Sequence, residues 1–297
     1  MSHVPRLTGL SLCFLGGDRR ETKAIEAMVD QGASVRCFGV PSEGLKCEVT
    51  LAGSAEEALR GAHGLILPLS GTDDQGKVRV STCPILIDHD LLATMARGGA
   101  VFSGRLSDGV RRSCDALGLR VVNTADDDEL AILNSIPSAE GAVLMAMQAT
   151  PITVHHSNCL VTGMGRTGMT LVRLLLAMGA RVWAVARKGR DRARAFEMGA
   201  IPVDYPDLPD CISQMDMVFN TVPELVITRP LILAMKPAAI IVDLASAPGG
   251  VDFAAAAERR IWAQLAPGLP GKVAPATAGA VLAKVLPEIV ARAFAKG

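Results

Sequence analysis

The most informative residues for chemistry are the glycines of Gly163-Met164-Gly165-Arg166-Thr167-Gly168. Three glycines at this spacing let a chain turn tightly and approach a pyrophosphate with backbone N–H groups at a helix start. By itself the pattern is common in a chain with 29 glycines, so its context decides. Cys159-Leu160-Val161-Thr162 before it reads as a strand and Met169 to Leu176 after it as a helix. Arg181 to Ala186 reads as the next strand, completing a βαβ unit. A dinucleotide held on Gly163, Met164, Gly165, Arg166, Thr167 and Gly168 is the expectation; the alternative is a βα turn without a ligand. The position after the second strand, where an acidic residue takes the ribose hydroxyls of NAD, holds Arg187, Lys188 and then Arg190. Cations there suit the 2′-phosphate of NADP. A solvated basic loop accepting either NADP or NAD is the other reading.

Ligands of open α/β sheets collect at the carboxyl ends of strands, so the polar turns there are the next candidates. Asn220, Thr221 and Pro223 follow one strand, and Asp243, Leu244 and Ala245 follow another, all facing the glycine turn. In the first half, Ser70, Gly71, Thr72 and Lys77, and Ser103 with Arg105, offer hydroxyls, backbone and cations to a carboxylate. Asn134, Ser135, Ser138 and Glu140, spread about Pro137, resemble a helix start. That stretch is either a simple cap or a receiver of a substrate carboxylate, with Glu140 as cap or general base. Gly16-Gly17-Asp18 also follows a strand but lacks the third glycine, and reads as architecture or as an edge of the substrate cleft. His155-His156 reads as packing or surface, because no ligand set at metal spacing accompanies it; no metal is expected. No GxSxG elbow and no P-loop lysine motif occurs.

These residues need two sheets to position them. A chain of 297 residues favours two domains with a cleft between them. Short aliphatic runs alternate with helical patterns throughout, as in parallel sheets covered on both faces. The first half reads as a flavodoxin-like domain with strands at Leu10–Leu15, Ser34–Phe38, Gly64–Leu69, Ala100–Ser103 and Arg120–Asn123. Its helices fall near Arg20–Asp30, Ala55–Arg60, His89–Arg97 and Asp108–Leu117. The second half reads as a Rossmann domain with strands at Cys159–Thr162, Arg181–Ala186, Ile201–Val203, Met217–Asn220, Ala239–Asp243 and Ile261–Leu265. The expected plan is therefore α/β with two doubly wound parallel-sheet domains: 1–130, an inter-domain helix 131–150, 151–272, and a C-terminal helix 273–297 that packs back on the first domain. Pro137 predicts a break or kink in the connecting segment.

Composition narrows the partners. Lys+Arg at 30 balance Asp+Glu at 30, so no net field points to nucleic acid or to an anionic membrane. Apolar runs are interrupted within about a dozen residues, short of the ~18 needed to span a bilayer, despite a positive mean hydropathy. Leu10–Leu15 is too short for a signal h-region. The seven cysteines show no CxxC spacing and read as reduced core thiols, so a cytoplasmic protein with a small-molecule partner is expected. A homo-oligomer is expected as well.

Six ordered segments carry a more specific signal: ILPLSGTDDQGKV at 66–78, NSIPSAEGAV at 134–143, GMGRTGMT at 163–170, NTVP at 220–223, DLASAPGGVDF at 243–253 and APGLPGKVAPATAG at 266–279. Together they resemble the family of dipicolinate synthase A subunits over nearly the whole chain. The resemblance implies oxidation of a dihydrodipicolinate, formed from 4-hydroxy-tetrahydrodipicolinate of the lysine pathway, to pyridine-2,6-dicarboxylate with NAD(P)+. It also implies a flavoprotein-like B subunit of dipicolinate synthase as partner, and work in the mother-cell cytoplasm during sporulation. A more distant likeness is to the 2-hydroxyacid dehydrogenases. Their strand-end Arg and late His are absent from Asp243–Gly249 and Ala266–Gly268, which disfavours hydroxyacid oxidation. Two other readings stand beside this one: a catalytically silent NAD(P)-binding regulatory protein, and an imino- or amino-acid dehydrogenase.

Overall fold

The structure, a computed structural model, describes residues 7–43 and 45–295; the outermost residues of the first and last expected segments, 1–6 and 296–297, lie outside the described residues. The chain divides into two compact units. One runs to Leu133 and resumes at Ala274, and the other is Asn134–Val273. Each is built on its own parallel six-stranded sheet with helices around it.

The first unit contains β1 (Ser11–Leu15), β2 (Ser34–Phe38), β3 (Thr50–Leu51), β4 (Gly64–Ile66), β5 (Ala100–Ser103) and β6 (Arg120–Asn123), in the order β3-β2-β1-β4-β5-β6. Without β3 this is the 2-1-3-4-5 order of flavodoxin-like folds. The edge strand β3 escapes sequence reading because it is two residues long and both are exposed. β4 ends earlier than its aliphatic run suggests. Leu67 still donates to the Phe102 carbonyl, but Pro68 has no N–H with which to continue the ladder. Burial explains the strand composition, since all of Cys13, Phe14, Leu15, Val101 and Phe102 are inaccessible to solvent. Helix Pro275–Phe294 lies along helix Arg19–Asp30, where Gly279 brings the two backbones close at Arg20 and Lys23. Its Leu282, Val285, Leu286, Ile289 and Val290 complete the core under Phe14 and Phe102.

The second unit contains β7 (Asn158–Thr162), β8 (Arg181–Val185), β9 (Ile201–Val203), β10 (Met217–Asn220), β11 (Ile240–Asp243) and β12 (Trp262–Leu265), ordered β12-β11-β10-β7-β8-β9. Counted within the unit, this is the doubly wound 3-2-1-4-5-6 order, with its switch point between β7 and β10.

The break expected at Pro137 does not occur. Helix Asp128–Ala149 runs through Pro137 without a break. Pro137 supplies no N–H to the Leu133 carbonyl, a defect worth about 3 kcal/mol in an isolated helix. Tertiary packing overrides it, because Ala139, Ala142, Val143 and Ala146 from the same helix are built into the core of the second unit. The apolar stretch here is also longer than expected. By length and composition this helix is apolar enough to cross a membrane, although 44% of its most apolar window is buried within the protein. The helix expected at His89–Arg97 is only His89–Leu92, followed by turns.

Candidate functional site

At the switch point of the second unit, Thr162 ends β7 and the chain turns at Gly163 with φ +90°. A Cβ on Gly163 would stand 2.5 Å from the Thr221 hydroxyl, and one on Gly168 would stand 1.9 Å from the Gly163 carbonyl oxygen. Both positions therefore require glycine. Gly165 differs: no atom lies within 4 Å of where its Cβ would be. It is the N-cap of the twelve-residue helix Arg166–Ala177, whose first turn receives no side-chain cap. Open space above an uncapped helix N-terminus is what a pyrophosphate needs, so the residues present fit a dinucleotide.

The walls around the turn are held by a buried polar chain. Thr162 Oγ1 donates to Asn220 Oδ1 at 2.6 Å, and Asn220 Nδ2 donates to Asp243 Oδ1 at 2.8 Å. Asn220 also bonds both the N–H and the carbonyl of Val222, while Asp243 accepts from the Ala245 and Gly250 N–H groups. Thr221 donates to the Thr162 carbonyl at 2.7 Å. The three strand ends are thus tied together, and the side chains of Asn220, Thr221 and Asp243 shape the loops that face the glycine turn. The signal was Thr162, which sequence reading passed over although it immediately precedes Gly163. Leu244, Ala245 and Pro223 sit on the loops so formed, where Leu244 N–H is spent on the Asn220 carbonyl.

After β8 the chain presents Arg187 and Lys188, both exposed, and no acid follows the strand directly. Arg192 fixes this loop by donating to the carbonyls of Ala186 and Arg187, each at 2.8 Å, and by pairing with Asp204. Tyr205 lies close enough for Arg187 to act on it, although burial dominates and pushes its phenol above the usual value.

The residues around Pro137 are not a helix start. They sit inside helix Asp128–Ala149, so their backbone N–H groups are not available as a cap. Ser138 donates to the Asn134 carbonyl one turn back, and Ser135, with 1% of its surface exposed, bonds the Thr170 hydroxyl at 2.6 Å. Ser135 therefore ties the glycine-turn helix to its neighbour, and the helix start expected at Asn134, Ser135 and Ser138 is instead helix interior. Glu140 lines a pocket with Ile136, Thr170, Arg173 and Ala177, along one side of helix Arg166–Ala177.

In the first unit, Gly71 has φ +60°, and a Cβ there would fall 1.6 Å from the Arg105 carbonyl oxygen. Thr72 N–H donates to that same carbonyl, Thr72 Oγ1 accepts from the Ser107 N–H, and Ser103 donates to the Arg105 carbonyl. Thr72 and Ser103 are thus buried ties between the loops after β4 and β5. Arg105 pairs with Asp74 at 3.2 Å, and Lys77 is exposed. The Ser70 hydroxyl is buried and has no hydrogen-bond partner.

The first unit's own glycine turn, Gly16-Gly17-Asp18, is filled by the chain. Asp18 caps helix Arg19–Asp30, Glu21 accepts from the Asp18 N–H at 2.8 Å, and Arg20 forks onto the Asp18 carboxylate at 2.9 Å. Burial alone would raise the Asp18 carboxyl, but the bonds from Arg20 outweigh it and hold it below its ordinary value. Burial pushes Glu21 up to about 7 against the pull of Arg20.

Among the described residues no three His, Cys, Asp or Glu side chains gather as a metal site. All seven cysteines are free, and burial pushes the thiols of Cys114 and Cys159 up to about 11, which keeps them protonated. His155 packs edge-on against His156 and over Gly179.

Residues 139–255 match the family described as D-isomer specific 2-hydroxyacid dehydrogenase, NAD binding domain. The fold is shared with a transhydrogenase from Sinorhizobium meliloti (TM-score 0.67, 14% identity, 94% of this chain and 93% of that one). With the open glycine turn, this defines an oxidoreductase with an NAD(P)-binding Rossmann domain. Residues 11–125 match the N-terminal domain of the dipicolinate synthase A subunit. Over 96% of its length the chain is 35% identical to the dipicolinate synthase A subunit of Bacillus subtilis, covering 97% of that protein. Crystal structures of the dipicolinate synthase A subunit from Bacillus halodurans and of the dipicolinate synthase A chain from Bacillus subtilis each superimpose with TM-score 0.88 at 34% identity. They cover 96% and 99% of this chain and 99% of each of those chains. The chain belongs to the family of dipicolinate synthase A subunits.

Proposed function

We propose that the chain oxidises a dihydrodipicolinate, derived from 4-hydroxy-tetrahydrodipicolinate, to pyridine-2,6-dicarboxylate. The observation that carries this reading is the full-length match to a dipicolinate synthase A subunit, in a chain whose Gly163–Gly168 turn keeps an open space over Gly165. Dinucleotide bound there supplies a hydride acceptor, and Arg187 with Lys188 favours NADP+ over NAD+. The ring loses one hydride to the nicotinamide and one proton to water, and becomes aromatic. Because aromaticity supplies much of the driving force, the chain's principal task is to hold the ring in place, and orientation alone is worth several kcal/mol. The loops after β4 and β5 supply one carboxylate subsite, to which Ser70 contributes. A homo-oligomer that works with a dipicolinate synthase B subunit, in the mother-cell cytoplasm of a sporulating bacterium, completes the proposal.

The lack of the 2-hydroxyacid dehydrogenases' strand-end Arg and late His at Asp243–Gly249 and Ala266–Gly268 favours one second reading, a silent NAD(P)-binding protein that regulates its partner. Purified chain, with and without the B subunit, is given freshly made pathway intermediate with NADP+ or NAD+. Our reading expects the ultraviolet spectrum of pyridine-2,6-dicarboxylate to rise together with reduced nicotinamide. A chain that binds the cofactor yet forms neither product in any combination is the regulatory protein instead.

A further inference from the structure

If the chain oxidises a ring dicarboxylate, as proposed above and as assumed from here on, the first unit needs a cation to receive a substrate carboxylate. Of the two cations that the sequence put forward, Arg105 is engaged by Asp74, and Lys77 lies on the exposed turn that begins at Asp73. A third residue is better placed. The segment Val78–Thr82 crosses the carboxyl ends of the central strands. The Val80 carbonyl accepts the Gly17 N–H after β1 at 2.7 Å, the Thr82 N–H donates to the Gly39 carbonyl after β2, and the Arg79 N–H donates to the Gly71 carbonyl after β4. Ile85 and Ile87, both buried, anchor its far end. Arg79 therefore stands at the first sheet's switch point, between β1 and β4, where open α/β sheets take ligands.

The guanidinium is oriented from behind: its Nε donates to the Thr72 carbonyl at 2.9 Å. Among the described residues neither terminal nitrogen has a hydrogen-bond acceptor, and no carboxylate lies within ion-pair distance. The pair of terminal N–H groups that suits a carboxylate is thus left over. The turn beside it cannot do this work. Gly16 and Gly17 have already given their N–H groups to Phe38 and Val80, and Asp18 and Glu21 fill the helix start. An anion on this face must be held by side chains, and the buried, unpartnered Ser70 hydroxyl lies next to Gly71, to which the Arg79 backbone is bonded. We propose that Arg79, held by the Thr72 carbonyl and assisted by Ser70, is the residue that binds a carboxylate of the ring substrate.

The test is calorimetric titration of pyridine-2,6-dicarboxylate into the full chain, its Arg79→Gln variant and its Arg79→Lys variant, with NADP+ affinity and the thermal transition measured on each. We expect Arg79→Gln to weaken dicarboxylate binding at least about tenfold, as for loss of a charge-assisted pair of bonds. Arg79→Lys should recover part of that loss, NADP+ affinity should be unchanged, and turnover should show a raised KM with a smaller change in kcat. Arg79→Gln that binds the dicarboxylate like the parent chain overturns the assignment while leaving the proposed function standing. A parent chain that binds no dicarboxylate and forms none overturns both. Should Arg79→Gln lose its thermal transition, Arg79→Lys decides alone, and affinity equal to that of the parent counts against the assignment.

Discussion

The chain has two βα turns at equivalent places, one at the carboxyl end of each unit's first strand. Gly16-Gly17-Asp18 and Gly163-Met164-Gly165 both turn on a glycine of positive φ and both open a twelve-residue helix. At the first, Asp18 occupies the helix N-terminus with its own carboxylate, Arg20 is clamped to it, and Val80 takes the last turn N–H. At the second, the cap is a glycine without a side chain and the space above it is clear. The helix dipole and the free N–H groups favour negative charge at both ends alike. One end satisfies that preference with an internal aspartate, and the other has no side chain to do so. An acid at the N-cap thus closes the first turn, and a glycine there leaves the second open.

Several changes sharpen or break this contrast. Gly165→Ala puts a methyl group into the open space with no protein atom within 4 Å of it, so the unit should keep its thermal stability while NADP+ affinity falls at least about a hundredfold, near 3 kcal/mol, measured by fluorescence titration. Retained affinity would mean that the space is not where the pyrophosphate lies. Asp18→Ala should do the reverse. Losing the cap and leaving Arg20 buried without its partner should cost about 2–3 kcal/mol in urea unfolding, with NADP+ affinity untouched. Arg187→Ala should weaken NADP+ about tenfold and NAD+ hardly at all, by the same titration; equal losses would argue against a 2′-phosphate contact.

The smallest effect concerns Glu21. Its carboxyl rises from an ordinary 4.5 to about 7 on folding, chiefly through burial. The folded state therefore binds the proton more tightly, and the associated stability is full below about 4.5 and is lost as pH climbs through 7. Asp18, shifted the other way, loses its contribution only in acid, below its ordinary 3.8. Between pH 5 and 8, Glu21→Gln should flatten the fall in unfolding free energy by on the order of 1 kcal/mol. An unchanged slope would show that another group titrates there.

Much of this contrast can be read from residue types. Glycine spacing, a strand before it and a helix after it are local, so the second turn and eleven of the twelve strands were legible; only β3 was missed. Asp18 beside Arg20 likewise marks the first turn as different. What was not legible depends on contacts distant in sequence. Asn134, Ser135 and Ser138 look like a cap because Pro137 is a usual first-turn residue, yet core packing of Ala139, Ala142 and Ala146 carries the helix through it. Nothing local reveals that the Thr72 hydroxyl accepts from the Ser107 N–H or that Ser103 donates to the Arg105 carbonyl. Arg79 was overlooked for the converse reason: it lies well past the end of β4, and only the crossing of Val78–Thr82 over the strand ends brings it to the switch point.

On the proposed reading the dinucleotide lies on the second turn and the first turn is closed to it. A crystal of the chain grown with NADP+ tests this most directly. Pyrophosphate density is expected over Gly165 at the start of helix Arg166–Ala177, with the 2′-phosphate at Arg187 and none at Gly16–Asp18. Pyrophosphate density at the Gly16-Gly17-Asp18 turn, with Asp18 displaced from its helix, would contradict it.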